Sequence, residues 1–454
     1  MKNGNSIKCF RDKRKIMDVK TVTIIGANGT MGRNIAAIFA SFGQAKVYMV
    51  SRTLEKSKQA REEAYKSVRA ESIKHRMIAK DYSHLSECIS DSDLIFEACA
   101  ENWEIKKAVH YKIAQLLSDI GGDKIICSGT SGLSITKLSE LYMESYRNRV
   151  IGMHFFNPPY QMTLCELVST KYTESVFFNQ IVEYVAHQLL RTAVIVEDSP
   201  AFLGNRIGFQ FINETMKLAD KYKYNGGIDY IDAIFGPFTG RTMAPLMTAN
   251  FVGLDVHKAI IENLYENTQD FMRDSFELPT YVNDLVTGGK LGRKTGIGLY
   301  KTILYANGRK VLQVYDIEHN YYRDSIHYVF PFVREMITNL QVGNYREAFH
   351  VLSRNHSIEA EICIEGLLKY ILYALNMSLA VGGNIHSADD VMAAGFNWCP
   401  PLAFIEVFGG KEYFSKLCKE RMTDYELTNM NFEKVMQNIE KSKYDYRRFI
   451  KAKP

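Results

Sequence analysis

Three glycines in seven residues, Gly26-Ala27-Asn28-Gly29-Thr30-Met31-Gly32, separate a β-rich run from a helical one. Glycine there lets the chain turn sharply and brings its amides up to an anion with no side chain between. The run before the loop is Thr21-Val22-Thr23-Ile24-Ile25, the stretch from Gly32 to Phe42 has helical periodicity, and Lys46-Val47-Tyr48-Met49-Val50 is a second β-run. Strand, tight turn, helix and strand within about thirty residues make the βαβ unit of a parallel sheet. A helix opening at the loop points its positive end at a pyrophosphate. Gly26, Asn28, Gly29, Thr30, Met31 and Gly32 are therefore the candidate cradle, with Asn28 stretching the usual G-x-G-x-x-G to G-x-x-G-x-x-G.

Further strands read at Asp93–Glu97, Lys124–Cys127, Val150–Met153 and Ala193–Val196, with helical segments between them. They predict a Rossmann-type doubly wound parallel α/β sheet over residues 21–200, behind a basic N-terminal tail at 1–20. After Asp198-Ser199-Pro200 the strand signals stop, and residues 201–302 read as an all-α domain closed by a glycine-dense loop. Asn307-Gly308 between β-rich runs predicts a hairpin linker at 303–328. Residues 329–415 read as a second helical domain and 416–454 as a charged tail. The two helical domains look related. Gly227-Ile228-Asp229-Tyr230-Ile231-Asp232 followed by Ala244-Pro245-Leu246 is echoed by Asn384-Ile385-His386-Ser387-Ala388-Asp389 followed by Pro400-Pro401-Leu402.

Charge and cysteine content exclude several classes. With 56 basic and 51 acidic residues the net charge of +5 is too mixed for a nucleic-acid binder. Hydrophobic residues at 46% exclude a disordered chain. The eight cysteines include no C-x-x-C pair, so they read as reduced, buried thiols with no metal site. Residues 1–20 lack the apolar core of a signal peptide, and no stretch nears the eighteen or so unbroken apolar residues of a spanning helix. The expectation is a soluble cytoplasmic protein with no membrane partner.

Two clusters carry chemistry. At the end of the second strand, where an NAD site usually places a carboxylate for the ribose hydroxyl, stand Ser51-Arg52-Thr53, with Lys56 nearby. Ser51 and Arg52 offer a hydroxyl and a guanidinium to a 2′-phosphate, so NADP is favoured over NAD. The second cluster is His154-Phe155-Phe156-Asn157-Pro158-Pro159, followed by Glu166. A histidine fixed at the end of an apolar run can exchange a proton at cellular pH. Glu166 can bond its second ring nitrogen and set the tautomer.

With these pieces in place, residues 21–301 resemble the 3-hydroxyacyl-CoA dehydrogenase family, in 3-hydroxybutyryl-CoA dehydrogenase-like form. The resemblance runs through the glycine loop, Glu97-Ala98-Cys99-Ala100-Glu101-Asn102, Thr130-Ser131-Gly132-Leu133, His154-Phe155-Phe156-Asn157-Pro158, Asp198 to Arg206, and Gly292-Arg293-Lys294-Thr295-Gly296. It implies that His154 is the general acid or base paired with Glu166, and that Ser131 and Asn205 bond the substrate oxygen or hold the pair. It also implies that Glu101, with Lys106 close by, sits near the nicotinamide. The substrate implied is a 3-hydroxyacyl or 3-oxoacyl thioester, with CoA as carrier. An acyl-carrier-protein substrate, a free hydroxy acid and a non-catalytic nucleotide-binding scaffold are the alternatives. The region at 330–410 resembles the second C-terminal copy of longer members. In shorter relatives that domain buries an apolar face against a second subunit, so the expectation here is a monomer, or a dimer formed elsewhere.

Overall fold

The computed structural model describes residues 17–305 and 307–453. Of the N-terminal tail, residues 1–16 lie outside the described residues; Val19 is already buried in the core. The β-rich runs form an eight-stranded sheet: β1 (Thr21–Ile25), β2 (Lys46–Ser51), β3 (Met77–Asp81), β4 (Leu94–Glu97), β5 (Ile125–Ser128), β6 (Val150–Phe155), β7 (Leu164–Val168) and β8 (Thr192–Val196). Their order is β3-β2-β1-β4-β5-β6-β7-β8. β1 to β6 are parallel, while β7 pairs antiparallel with β6 and parallel with β8. The direction of winding reverses between β1 and β4, which opens a crevice at their carboxyl ends.

Both sheet faces are buried, and alternate residues of each strand serve opposite cores. Val22, Ile24, Val47 and Met49 pack with Ile35, Ala36, Phe39 and Ala60 of the helices Thr30–Ser41 and Leu54–Val68. Ile25, Val50, Ile95 and Ile126 share the other core with Leu85, Ile113 and Leu117. Parallel strands covered on two sides read as near-continuous apolar runs, which is why most were legible. Two were not singled out. β3 is only partly buried, at the sheet edge, and β7 carries Glu166 inside an otherwise apolar run.

The helical half is built around two long helices, Gly204–Lys221 and Ile358–Ala380. The second is long and apolar enough to cross a bilayer, but 78% of its apolar window is buried inside the fold. Phe211, Tyr370 and Trp398 join the two halves around the buried Arg241, whose guanidinium lies 3.9 Å from the Phe211 ring centre. Each half also repeats one capping device. Asp232 accepts hydrogen bonds from Leu246 N (2.8 Å) and Met247 N (3.0 Å) at the start of the helix Pro245–Val252. Asp389 accepts one from Leu402 N (2.8 Å) at the start of the helix Pro401–Val407.

Two expected boundaries are corrected. The hairpin linker is a three-stranded antiparallel meander, β9 (Tyr300–Leu304), β10 (Lys310–Asp316) and β11 (Tyr321–Asp324). Asn307-Gly308 lies in the first turn as expected, with Gly308 at φ +79°, but Arg323 fastens the meander to Asp229 of the first helical domain (2.6 Å). The charged tail is no tail: helices Asp424–Asn429 and Phe432–Asn438 bury Leu427, Phe432 and Val435, and Phe449 and Ile450 are buried beyond them. Its charges occupy the outer face of these helices, while widely spaced apolar residues anchor them.

Candidate active site

The glycine loop lies at the mouth of the crevice, between the ends of β1 and β4. Gly26 has φ +84°, and a Cβ on it would meet Ala98 O at 2.8 Å. A Cβ on Gly32 would meet Gly26 O at 2.4 Å, so only glycine lets the helix pack onto the turn. Gly26 N and Ala27 N are spent on Val50 O, and Gly29 N on Gly26 O. The amides of Thr30, Met31 and Gly32 open the helix and have no helical acceptor. That first turn has no acidic residue and no side-chain cap, so it is free to receive an anion. Asn28 is exposed at the loop tip. These residues fit a dinucleotide pyrophosphate.

Ser51 closes β2, its hydroxyl buried with no hydrogen-bond partner among the described residues, and Arg52 is exposed beside it. Thr53 is occupied as the N-cap of Leu54–Val68. In sequence this corner is free of carboxylates; the fold supplies one. Asp81, at the end of β3, is the register partner of Ser51. Hydrogen bonds from Ser83 and His84 hold its carboxyl below the usual range, so it is charged at neutral pH. The sequence offers no hint of this, because β3 is thirty residues from β2 along the chain and only the pairing brings them together.

His154 and Glu166 are directly opposed in the antiparallel pair of β6 and β7. His154 Nδ1 is 2.8 Å from Glu166 Oε2. The other carboxylate oxygen accepts from Leu203 N (3.1 Å) and Gly204 N (2.7 Å), at the start of the helix Gly204–Lys221. With Glu166 accepting from amides on one oxygen and from the ring on the other, Nδ1 is the ring nitrogen that carries the proton. Nε2 has no protein partner among the described residues and is not a buried orphan, so it is left free to meet a ligand. Phe156 (4.6 Å between ring centres) and Phe202 (5.7 Å) hold the ring, and Phe396 of the second helical domain backs Phe156 (5.8 Å). Asn205 follows Gly204 in the same helical turn, its amide unpaired among the described residues.

The loops after β4 and β5 meet at Glu101. Its Oε1 accepts from the Thr130 hydroxyl and from Ser131 N (2.9 Å), so Glu101 fixes the turn that carries Ser131. Lys106 stands differently from the expectation. It is 1% exposed and donates to both oxygens of Glu97 (3.0 Å each) and to Cys99 O (3.3 Å), reaching the crevice only through Glu101 Oε2 at 3.5 Å. Glu97 itself was missed. The signal was a carboxylate ending an apolar strand, where no surface explains it.

A cleft of about 500 Å³ opens beside this turn, lined by Trp103, Leu133, Lys137, Pro200, Asn263 and Asn267 among others. Asp198, which also lines it, accepts from Ile135 N, Thr136 N and the Ser134 hydroxyl (2.8 to 3.0 Å) and so ties the β5 loop to the helical half. A crevice for a dinucleotide, an imidazole with one nitrogen committed and one open, and a cleft alongside can together move a hydride and a proton.

Residues 21–199 match the family model described as "3-hydroxyacyl-CoA dehydrogenase, NAD binding domain", and residues 202–302 match "3-hydroxyacyl-CoA dehydrogenase, C-terminal domain". A 3-hydroxybutyryl-CoA dehydrogenase of Clostridioides difficile is 33% identical over 62% of this chain and 98% of its own. A probable 3-hydroxyacyl-CoA dehydrogenase of Bacillus subtilis is 25% identical over 73% of this chain, which spans only 41% of that protein. The solved structure of a 3-hydroxybutyryl-CoA dehydrogenase from Escherichia coli superposes with a TM-score of 0.65 over 93% of this chain and 97% of its own, at 20% identity, and so shares the fold across both helical regions. The chain thus belongs to the 3-hydroxyacyl-CoA dehydrogenase family of oxidoreductases.

Proposed function

We propose that this chain transfers a hydride between a nicotinamide dinucleotide and C3 of a 3-hydroxyacyl or 3-oxoacyl thioester carried on CoA. The observation that carries this reading is the His154–Glu166 pair, which commits Nδ1 and leaves Nε2 without a protein partner among the described residues. The dinucleotide, when bound, supplies the acceptor or donor of the hydride. His154 Nε2 takes the proton from the 3-hydroxyl in oxidation and returns one to the forming alkoxide in reduction. Glu166, fixed by two amides, stabilises the imidazolium that results. Following the family resemblance, Ser131 and Asn205 are assigned to bonding the substrate oxygen, where developing charge needs a donor.

The test is oxidation of reduced nicotinamide with acetoacetyl-CoA, comparing NADPH with NADH. Turnover with either supports the reading, and nucleotide binding without turnover on any acyl thioester overturns it. We further propose NADP as the preferred cofactor, supported by the exposed guanidinium of Arg52. Use of NADH at ten times the efficiency of NADPH or more, roughly 1.4 kcal/mol, overturns that preference and assigns the ribose hydroxyl to Asp81. The paired Asp232 and Asp389 caps support a duplication of the helical domain. Unpaired thiols at Cys88, Cys127, Cys165, Cys363, Cys399 and Cys418, all buried, are in keeping with a cytoplasmic location.

A further inference from the structure

Glu97 ends β4 at the point where the sheet reverses its winding, and its side chain is wholly buried. Four groups surround it. Lys106 Nζ donates to both oxygens (3.0 Å each), Ser128 Oγ to one (2.7 Å) and Cys99 N to the other (2.6 Å), while His110 Nε2 lies 3.5 Å away. His110 is held in turn by Tyr142 (2.8 Å). Burial alone would push this carboxyl up, but the adjacent His110, the charge of Lys106 and the Ser128 hydroxyl outweigh it and hold Glu97 at about 2. The charges of Glu97 and Glu101 likewise keep Lys106 an ammonium despite its burial. A structural ion pair could have been replaced by apolar side chains at little cost. This one faces outward through Lys106 to Glu101, whose other oxygen holds Thr130 and Ser131.

We infer that Glu97 is a positioning residue for the reaction: it fixes Lys106, Lys106 fixes Glu101, and Glu101 sets the turn that presents Ser131 beside the nicotinamide end of the crevice. The inference rests on the dehydrogenase reading above. The amides that open the helix Thr30–Ser41 make no hydrogen bond to Glu97, Lys106 or Glu101, so loss of turnover and loss of nucleotide binding can be read separately in Glu97 variants. A displacement of about 1 Å in a positioning group can cost a hundredfold in rate.

The experiment compares wild type, Glu97→Gln and the double variant Glu97→Gln with Lys106→Met, which removes both buried charges together and so protects the fold. NADPH and NADH binding is titrated by nicotinamide fluorescence to count intact sites, melting temperature is recorded, and kcat and KM for acetoacetyl-CoA are measured per nucleotide-binding site. Both variants are expected to bind nucleotide within about threefold of wild type and to lose between about tenfold and a hundredfold in kcat. The thioester KM should move far less. Wild-type kcat per binding site in either variant overturns the positioning role, as does a loss confined to melting temperature or to the number of sites. Wild type that itself turns over no thioester sinks the dehydrogenase reading instead.

Discussion

An imidazole exchanges protons with a substrate through a free ring nitrogen, and committing the other nitrogen fixes its tautomer and orientation. His154 meets that condition through Glu166, which is itself saturated by Leu203 N, Gly204 N and the ring. Replacing His154 by alanine is expected to cut kcat by roughly 10²- to 10⁴-fold while nucleotide binding persists, because the loop that binds nucleotide is on β1. Glu166→Gln should cost less than His154→Ala yet leave Nδ1 facing an amide that can present the wrong group. Steady-state rates and fluorescence titration on the same preparations check both, and full activity in His154→Ala removes the assigned role. The sequence indicated this pair, since H-F-F-N-P followed by Glu166 is specific. It did not indicate Glu97, because a carboxylate ending a strand reads as an ordinary boundary until its four neighbours are known.

At the level of the element, the two aspartate caps make a stability prediction. Burial, opposed by the Tyr300 hydroxyl and two amides, pushes Asp232 up to about 7; burial, opposed by the Ser442 hydroxyl and Leu402 N, does the same to Asp389, also to about 7. In the unfolded chain both titrate near the ordinary aspartate value of about 3.9. The folded chain therefore keeps protons that the unfolded chain releases, and stability falls as pH rises from about 4 to about 7, then levels off. Melting temperature should decline across that window in wild type, and decline less in Asp232→Asn and in Asp389→Asn. Equal slopes in wild type and both variants rule the assignment out. Strands and the glycine loop were legible because each is written locally. The meander and the final helices were misjudged because their anchors, Asp229 for Arg323 and the core around Phe432 and Phe449, come from distant chain.

At the scale of the molecule, the second helical region does two things at once. Ile358–Ala380 covers the helix Gly204–Lys221 through Tyr370 on Phe211, with Trp398 of the segment beyond it on the same ring, and Phe396 reaches the wall of the candidate active site behind Phe156. Gly208 makes room for that ring, since a Cβ there would lie 2.3 Å from it. With this face occupied inside one chain, scattering or sedimentation is expected to give the mass of a monomer. A tight dimer sealed through Gly204–Lys221 contradicts the packing. The sequence by itself determined the parallel sheet, the glycine turn, the helical half and the histidine proposed for proton transfer, because backbone propensity, hydrophobic period and turn chemistry act over a few residues. Only the tertiary structure decided that Glu166 faces His154 across a ladder, that Asp81 stands beside Ser51, and that Glu97 underlies Glu101. Strand periodicity says which face a side chain takes; the neighbour it meets there depends on strand order and register, which are properties of the whole sheet.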